Sequence, residues 1–211
     1  MQLDPFFLIP VLIVSVILHE VSHGYMANWL GDPTARLAGR LTLNPLPHID
    51  IVGSLLLPTF LVFSGSPFLI GWAKPVPYNP YNLPGRFGEA LVAGAGPAVN
   101  IVLALIFALV IRVLGSDVND PLVAALAVIV FINILLALFN LLPIPPLDGS
   151  KILSDVLPYP LARGYDRFRL QFEQWGLFGG LLLILLLLFL FGAYFFAGIR
   201  ALFWLLTGVP L

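Results

Sequence analysis

The chain has 211 residues, 60% of them hydrophobic and 10% charged, with a formal net charge of −1 and a mean hydropathy of +1.01. Soluble domains carry roughly 25% charged residues, so this composition excludes an ordinary soluble protein, and the near-neutral balance gives no reason to expect a nucleic-acid partner. With no cysteine there is neither a disulfide nor a thiolate metal site, and any metal must be held by His, Asp, Glu and water.

Spanning a bilayer takes roughly 20 apolar residues. The first segment that qualifies is Pro5–Leu30. Its start lacks a basic region, carries Asp4, and leads straight into functional residues, so it is expected to be retained rather than removed as a signal peptide. Inside it lies His19-Glu20-Val21-Ser22-His23, an H-E-x-x-H pattern. On a helix, positions i and i+4 share a face, so the two imidazoles can share a metal while Glu20 sits beside a bound water. Ionisable groups within a hydrocarbon span are expensive and mark a functional site. Two of the chain's three histidines are here.

From Gly31 to Ser54 the chain turns polar, with Arg36, Arg40, Thr42, Asn44 and Asp50. The alternation from Arg40 to Leu43 predicts a strand. Ile51–Phe63 is apolar but too short to cross. Ser64–Gly85 is crowded with Pro, Gly and aromatics, including Trp72 and Tyr78, and predicts strand and loop at the interface or dipping into it. Bare sheet edges cannot face lipid, so helices or headgroups must cover this region. Trp72 and Tyr78 read as interface anchors, and His48 reads as structural.

Three further spans follow, at Phe87–Leu114, Pro121–Leu142 and Gly176–Gly198. In the second span, Ala93 to Gly96 and Ala98 form a small-residue face that lets helices approach closely, and Pro97 is a kink site. The tail Ala201–Leu211 is too short to span alone and either extends the last helix or lies in the interface.

If Ile51–Phe63 does not span, segments 31–86 and 143–175 emerge on one side. That side carries Arg36, Arg40, Lys74, Arg86, Lys151, Arg163, Arg167 and Arg169, eight of the ten basic residues. The excess of basic residues predicts that this side is cytosolic and the N-terminus outside. The Arg163, Arg167 and Arg169 cluster reads as a solvated face against headgroups.

A His pair needs at least one more protein ligand and an open position for water. After the third span comes Asn140-Leu-Leu-Pro143-Ile-Pro145-Pro146-Leu147-Asp148-Gly149, where three prolines stop the helix. Asp148 therefore lies just past a helix end, on the side the topology puts near the histidines. An alternative role for Asp148 alone is capping a helix that starts near Gly149.

HEVSH at 19–23 and NLLPIPPLDG at 140–149, supported by GRLTLNPLPHID at 39–50, GWAKPVPYNPYNL at 71–83 and AGPAVN at 95–100, resemble the site-2 protease family of intramembrane zinc metalloproteases, peptidase family M50. The resemblance runs from the first helix to about Lys151. It implies one Zn²⁺ per chain on His19, His23 and Asp148, with Glu20 as catalytic base. It further implies cleavage of peptide bonds within or near transmembrane segments of other proteins, in regulated intramembrane proteolysis or clearance of membrane remnants. No stretch has the length and polarity of the PDZ domain many members carry, and no CBS-domain pair follows the last helix, so a short form is expected.

The expected fold is an all-α polytopic membrane protein with a small β-strand or re-entrant region between the first two full spans. One integral-membrane protease domain covers 1–211. It comprises the motif helix at 5–30, the strand or re-entrant region at 31–86, core helices at 87–114 and 121–142, the third-ligand loop and cytosolic segment at 143–175, and the C-terminal helix or helices at 176–211. The expected partners are a transmembrane protein substrate and the lipid bilayer. Of the amides in the spans, Asn100, Asn133 and Asn140, the last is nearest in sequence to the metal loop and is the preferred oxyanion donor; Asn100 and Asn133 also suit plain interhelical hydrogen bonds. Extended chain at 36–44 or 66–84 offers a place for an unwound substrate to add a strand. Two other functions are compatible with a metal site in a membrane: a catalytically inactive adaptor or chaperone, which would not need Glu20, and a metal transporter, which would need ionisable groups along a whole path rather than at one depth.

Overall fold

The computed structural model describes residues 5–56, 59–60, 63–64, 72–115, 120–174 and 176–210. Parts of the expected interfacial region (65–71) and of the loop at 112–120 (116–119) lie outside them.

Among the described residues, four helices are long and apolar enough to cross a membrane. They belong to α1 (Pro5–Trp29), α2 (Gly88–Leu114), α3 (Pro121–Asn140) and α6 (Gly176–Thr207). The chain is thus a helical, multi-pass membrane protein. Each helix ends where apolar sequence gives way to polar or turn residues. Asp120 caps α3 by accepting from the Leu122 amide at 2.7 Å, with Pro121 at the first position, where its missing N–H is no loss. The last helix continues through 201–207, so most of the tail extends it. Its C-terminal carbonyls are met by Arg112 of α2, which donates to Leu206 and Leu205 at 2.6 and 2.5 Å, a cation at the negative end of a helix.

α1, α2 and α3 pack antiparallel in sequence. Small residues on α2 (Ala104, Ala108) meet Val123, Ala127 and Val130 of α3, and α6 closes this core with Ile199 and Phe203. Near the other end of α6, an apolar cavity of about 250 Å³ opens between α6 and the end of α3, lined by Phe139, Leu142, Ile144, Leu187, Leu188 and Phe191 among others.

Two amphipathic helices follow the proline-rich loop, α4 (Asp148–Val156) and α5 (Tyr159–Gln174). α4 is bound to the start of α2. Asp155 accepts from the Ala90 amide at 2.7 Å, supplying the cap that Phe87, the residue before α2, does not provide. Arg86 donates to the Asp155 and Leu157 carbonyls. Tyr165 of α5 donates to the Pro143 carbonyl at 2.9 Å and so ties the loop to α5. Arg169 faces Glu89 at 3.5 Å and Asp166 at 3.8 Å, while Arg163 and Arg167 stay exposed.

The expected strands are corrected: among the described residues no strand forms. Residues 40–43 are irregular chain, a bend rather than a strand, and 72–79 has no regular secondary structure. The physical reason is a shortage of free donors. Pro75 and Pro77 have no amide hydrogen. The Lys74 amide goes to the His48 carbonyl at 2.8 Å, that of Val76 to Glu20 at 3.0 Å and that of Asn79 to Asp32 at 2.7 Å. For the same reason, the described part of the 66–84 loop offers a poor edge for strand addition. Residues 51–56 form a π-helical turn, not a span. Asp50 caps it through the Val52 and Gly53 amides, and Trp72 lies over Gly53, where any Cβ would collide with the indole.

Candidate metal centre

One helix face presents His19 and His23, as the i, i+4 spacing requires, and both are buried at 5% and 8% exposure. Their rings meet edge to face with centroids 4.7 Å apart. Asp148, the first residue of α4, comes from 125 residues further along the chain than His23 and is also buried. Its Oδ2 lies 3.1 Å from His19 Nε2 and 3.2 Å from His23 Nε2. The proline-rich turn delivers it: Leu147 donates to the Ile144 carbonyl, and Gly149 sits so tightly on the Leu141 carbonyl that no side chain fits.

The tautomers are set by the outer nitrogens. His19 Nδ1–H donates to Asn100 Oδ1 at 2.6 Å, and His23 Nδ1–H donates to the Val92 carbonyl at 2.7 Å. Both Nε2 lone pairs therefore turn inward, toward the Asp148 carboxylate. Behind His19 the chain of bonds continues. Asn100 Nδ2 donates to Asn133 Oδ1 at 2.8 Å, and Asn133 Nδ2 donates to Ser15 Oγ at 3.0 Å. Asn100 and Asn133 have no solvent exposure. Three helices are thus joined by amides that end on a single imidazole.

Whether a metal fits can be tested on this geometry. Three electron-pair donors, two nitrogens and one oxygen, converge with all their ligand atoms within 4.8 Å of one another. Ligands on a tetrahedral zinc at bond lengths of 2.0–2.1 Å stand about 3.3 Å apart, close to the two measured separations. α2 leaves the space: a Cβ placed on Gly96 would lie 2.5 Å from His23 Nε2 and 2.6 Å from His19 Nε2. The glycine keeps open the volume that a metal would fill, so the residues fit a His₂Asp zinc site.

Glu20 is half-buried, adjacent to the trio, and its Oε2 accepts from the Val76 amide. Val76 is buried and packs against Gly24, where a Cβ would meet its side chain and that of Leu41. Segment 72–79 thus lies directly against α1 beside the site. Tyr78 donates to Glu89 at 3.1 Å, with the Lys151 ammonium over its ring at 5.2 Å. Burial, and then the neighbouring Glu89 carboxylate, pushes its hydroxyl well above the ordinary phenol range, so it stays a neutral donor.

Sequence reasoning brought His19, Glu20, His23 and Asp148 to one place, and the structure brings the same four together. Asn140 is not among them: its Nδ2 donates to the Leu136 carbonyl of its own helix at 2.9 Å. Asn133 makes an interhelical bond, in the Asn100 and Ser15 relay. Sequence missed three things: the Asn100 contact to His19, the Gly96 cradle, and the Val76 contact to Glu20. A buried polar residue within a span was the available signal for Asn100; nothing local marked Val76. His48 is buried, with Nε2–H donating to the Thr42 carbonyl at 2.9 Å.

Comparison with known proteins agrees with the geometry. Residues 115–187 match the family model described as peptidase family M50. The Bacillus subtilis protein named "Putative zinc metalloprotease YwhC" is 40% identical over 161 residues, covering 72% of this chain and 69% of that protein. "Putative zinc metalloprotease Rip2" of Mycobacterium tuberculosis strain H37Rv is 34% identical over 142 residues, covering 67% of this chain and 54% of the relative. "Zinc metalloprotease MJ0392" of Methanocaldococcus jannaschii is 28% identical over 148 residues, 70% of this chain and 33% of the relative. The chain therefore spans about half the length of the mycobacterial relative and a third of the archaeal one. No solved structure matches at a significant level.

Proposed function

The chain belongs to peptidase family M50, the site-2 protease family, and from that premise we propose that it is a zinc-dependent intramembrane endopeptidase. It would cut peptide bonds within or near the transmembrane segments of other membrane proteins. The observation that carries this reading is the convergence of His19 Nε2, His23 Nε2 and Asp148 Oδ2 around the gap left by Gly96, with Glu20 beside it. An adaptor or chaperone would need no carboxylate there. Among the described residues the groups able to hold a metal gather at one place, His19, His23 and Asp148, with no second such cluster along the spans, which favours hydrolysis over metal transport.

His19, His23 and Asp148 would hold the metal, one per chain. When bound, it supplies Lewis acidity to the scissile carbonyl and brings the pKa of a bound water toward about 7. Glu20 takes the water's proton and passes it to the leaving amine. Its Oε2 accepts from the Val76 N–H, which fixes the orientation of the carboxylate for this transfer. Asn140, the oxyanion donor expected from the sequence, has one of its two amide N–H groups on the Leu136 carbonyl, which turns the side chain back along its own helix. The pattern of basic residues supports an orientation with the site toward the cytosol and the N-terminus outside. The substrates it supports are membrane helices, which must unwind to expose a peptide bond.

The test uses protein purified in detergent or nanodiscs, loaded with zinc, and a transmembrane reporter with a readable cleavage product. The parent is expected to cleave, and Glu20→Gln to lose cleavage by about a thousandfold or more while keeping its zinc, because it removes the transferring base from an intact site. A Glu20→Gln variant that cleaves as well as the parent would sink the mechanism.

A further inference from the structure

We propose that Arg40 is a positioning residue that acts on Glu20 through the Pro75–Val76 peptide group. This rests on the proposed role of Glu20 as base. Arg40 is buried, at 7% exposure, although it belongs to the polar stretch after α1. Burying a guanidinium is costly unless something uses its charge. Among the described residues no carboxylate lies within ion-pair distance of it. Its Nη2 instead donates to two successive carbonyls of segment 72–79, Lys74 at 2.8 Å and Pro75 at 3.3 Å.

The second of those carbonyls matters most. The Pro75 C=O and the Val76 N–H belong to one planar amide. The oxygen of that amide faces the Arg40 cation, and its hydrogen points at Glu20 Oε2, 3.0 Å away. A cation on the oxygen strengthens the N–H as a donor, and hydrogen bonds in series polarise one another in a low-dielectric setting. Arg40 thus holds the segment in register and sharpens the donor that, among the described residues, fixes the Glu20 carboxylate. Beyond Val76 the same segment is held by Asp32, which has no solvent exposure and accepts from the Asn79 amide and the Asn82 side chain, both at 2.7 Å. A cation on the carbonyls before Val76 and an anion on the amides after it pin the residue between them.

Three variants test this on the intact protein in nanodiscs: Arg40→Gln, Arg40→Lys and Val76→Pro, the last removing the donor together with part of the buried valine side chain. Zinc content, kcat and KM for the reporter, and amide hydrogen exchange over 72–79 are measured for each. Arg40→Gln is expected to lower kcat about tenfold, the scale of one charge-assisted hydrogen bond, with zinc content and KM unchanged and faster exchange at 72–79. Arg40→Lys should recover part of the loss. Val76→Pro should reproduce the fall in kcat, and adding Arg40→Gln to it should lower kcat no further, because both act through one bond.

Independent, additive losses in the double variant would overturn the proposal, as would unchanged kcat in Arg40→Gln or in Val76→Pro. If Arg40→Gln does not fold, Arg40→Lys and Val76→Pro still decide it. If the parent cleaves nothing, the function proposed above fails, whereas the exchange measurement still reports whether Arg40 holds the segment.

Discussion

Two supports hold this site, and they are built from opposite materials. The metal side is braced inside the helical bundle by uncharged groups: the amides of Asn100 and Asn133, the Ser15 hydroxyl and the bare backbone of Gly96. The base side is braced by irregular chain lying against α1, which Arg40 and Asp32, residues from beyond the end of that helix, grip through its backbone. The difference follows from the solvent. Within hydrocarbon every polar group needs a protein partner and a charge is expensive, so amides that both donate and accept suit a relay there. Past the end of α1 the sequence turns polar, and a segment with two prolines, short of amide donors, is held in place by strong, directional partners.

The first way to break that division is at Gly96. Gly96→Ala puts a methyl group where the two Nε2 atoms converge, and it is expected to abolish zinc binding while α2 remains helical. Atomic absorption on the purified variant, with circular dichroism as the control, checks it; a full complement of zinc would show that the glycine is not the metal's cradle. Next comes Asn100→Leu, which frees His19 Nδ1 and takes the Asn100 donor from Asn133 Oδ1. A lost outer-sphere partner typically weakens metal binding 10- to 100-fold, measurable by competition with a chelator. Asn133→Leu, one bond further out, should weaken it less.

On the base side, Asp32→Asn should leave zinc affinity near the parent value and show its effect in segment 72–82. This carboxylate also predicts a pH signature. Burial pushes it up, but bonds from Thr34, Asn79 and Asn82 outweigh that and hold it below the ordinary carboxylate range. A carboxylate with a lowered folded-state pKa contributes stability above its unfolded value of about 3.9 and loses it as pH falls through the folded one. Amide exchange at 72–82 in the parent should therefore be flat from pH 7 to about 4, after correction for the intrinsic rate, and rise below. Asp32→Asn should show raised exchange throughout and no such step. A step that persists in Asp32→Asn would assign the titration to another group.

The legible parts of this protein were those written in local patterns. Hydropathy placed all four spans because a helix in lipid must be apolar along its length, and the H-E-x-x-H spacing placed two imidazoles on one face. The proline run before Asp148 gave away the end of α3 and the turn that returns a carboxylate to the histidines. What failed was pairing at a distance. The alternation at 40–43 resembles half a ladder, but a strand needs a partner with free donors, and 72–79 had already spent its own. Asn140 looked closest to the metal in sequence, whereas the antiparallel register of α1 and α2 puts Asn100 on His19 instead. That register is a property of the packed bundle, and no local pattern encodes it. Val76, 56 residues from Glu20, left no trace in the sequence at all.

The most direct test of the account is the zinc stoichiometry of the purified parent beside Asp148→Asn. One zinc per chain in the parent, and loss of most of it in Asp148→Asn, is the predicted result. Full zinc occupancy in Asp148→Asn, or a parent that binds none when zinc is supplied, would contradict a metal centre built from His19, His23 and Asp148.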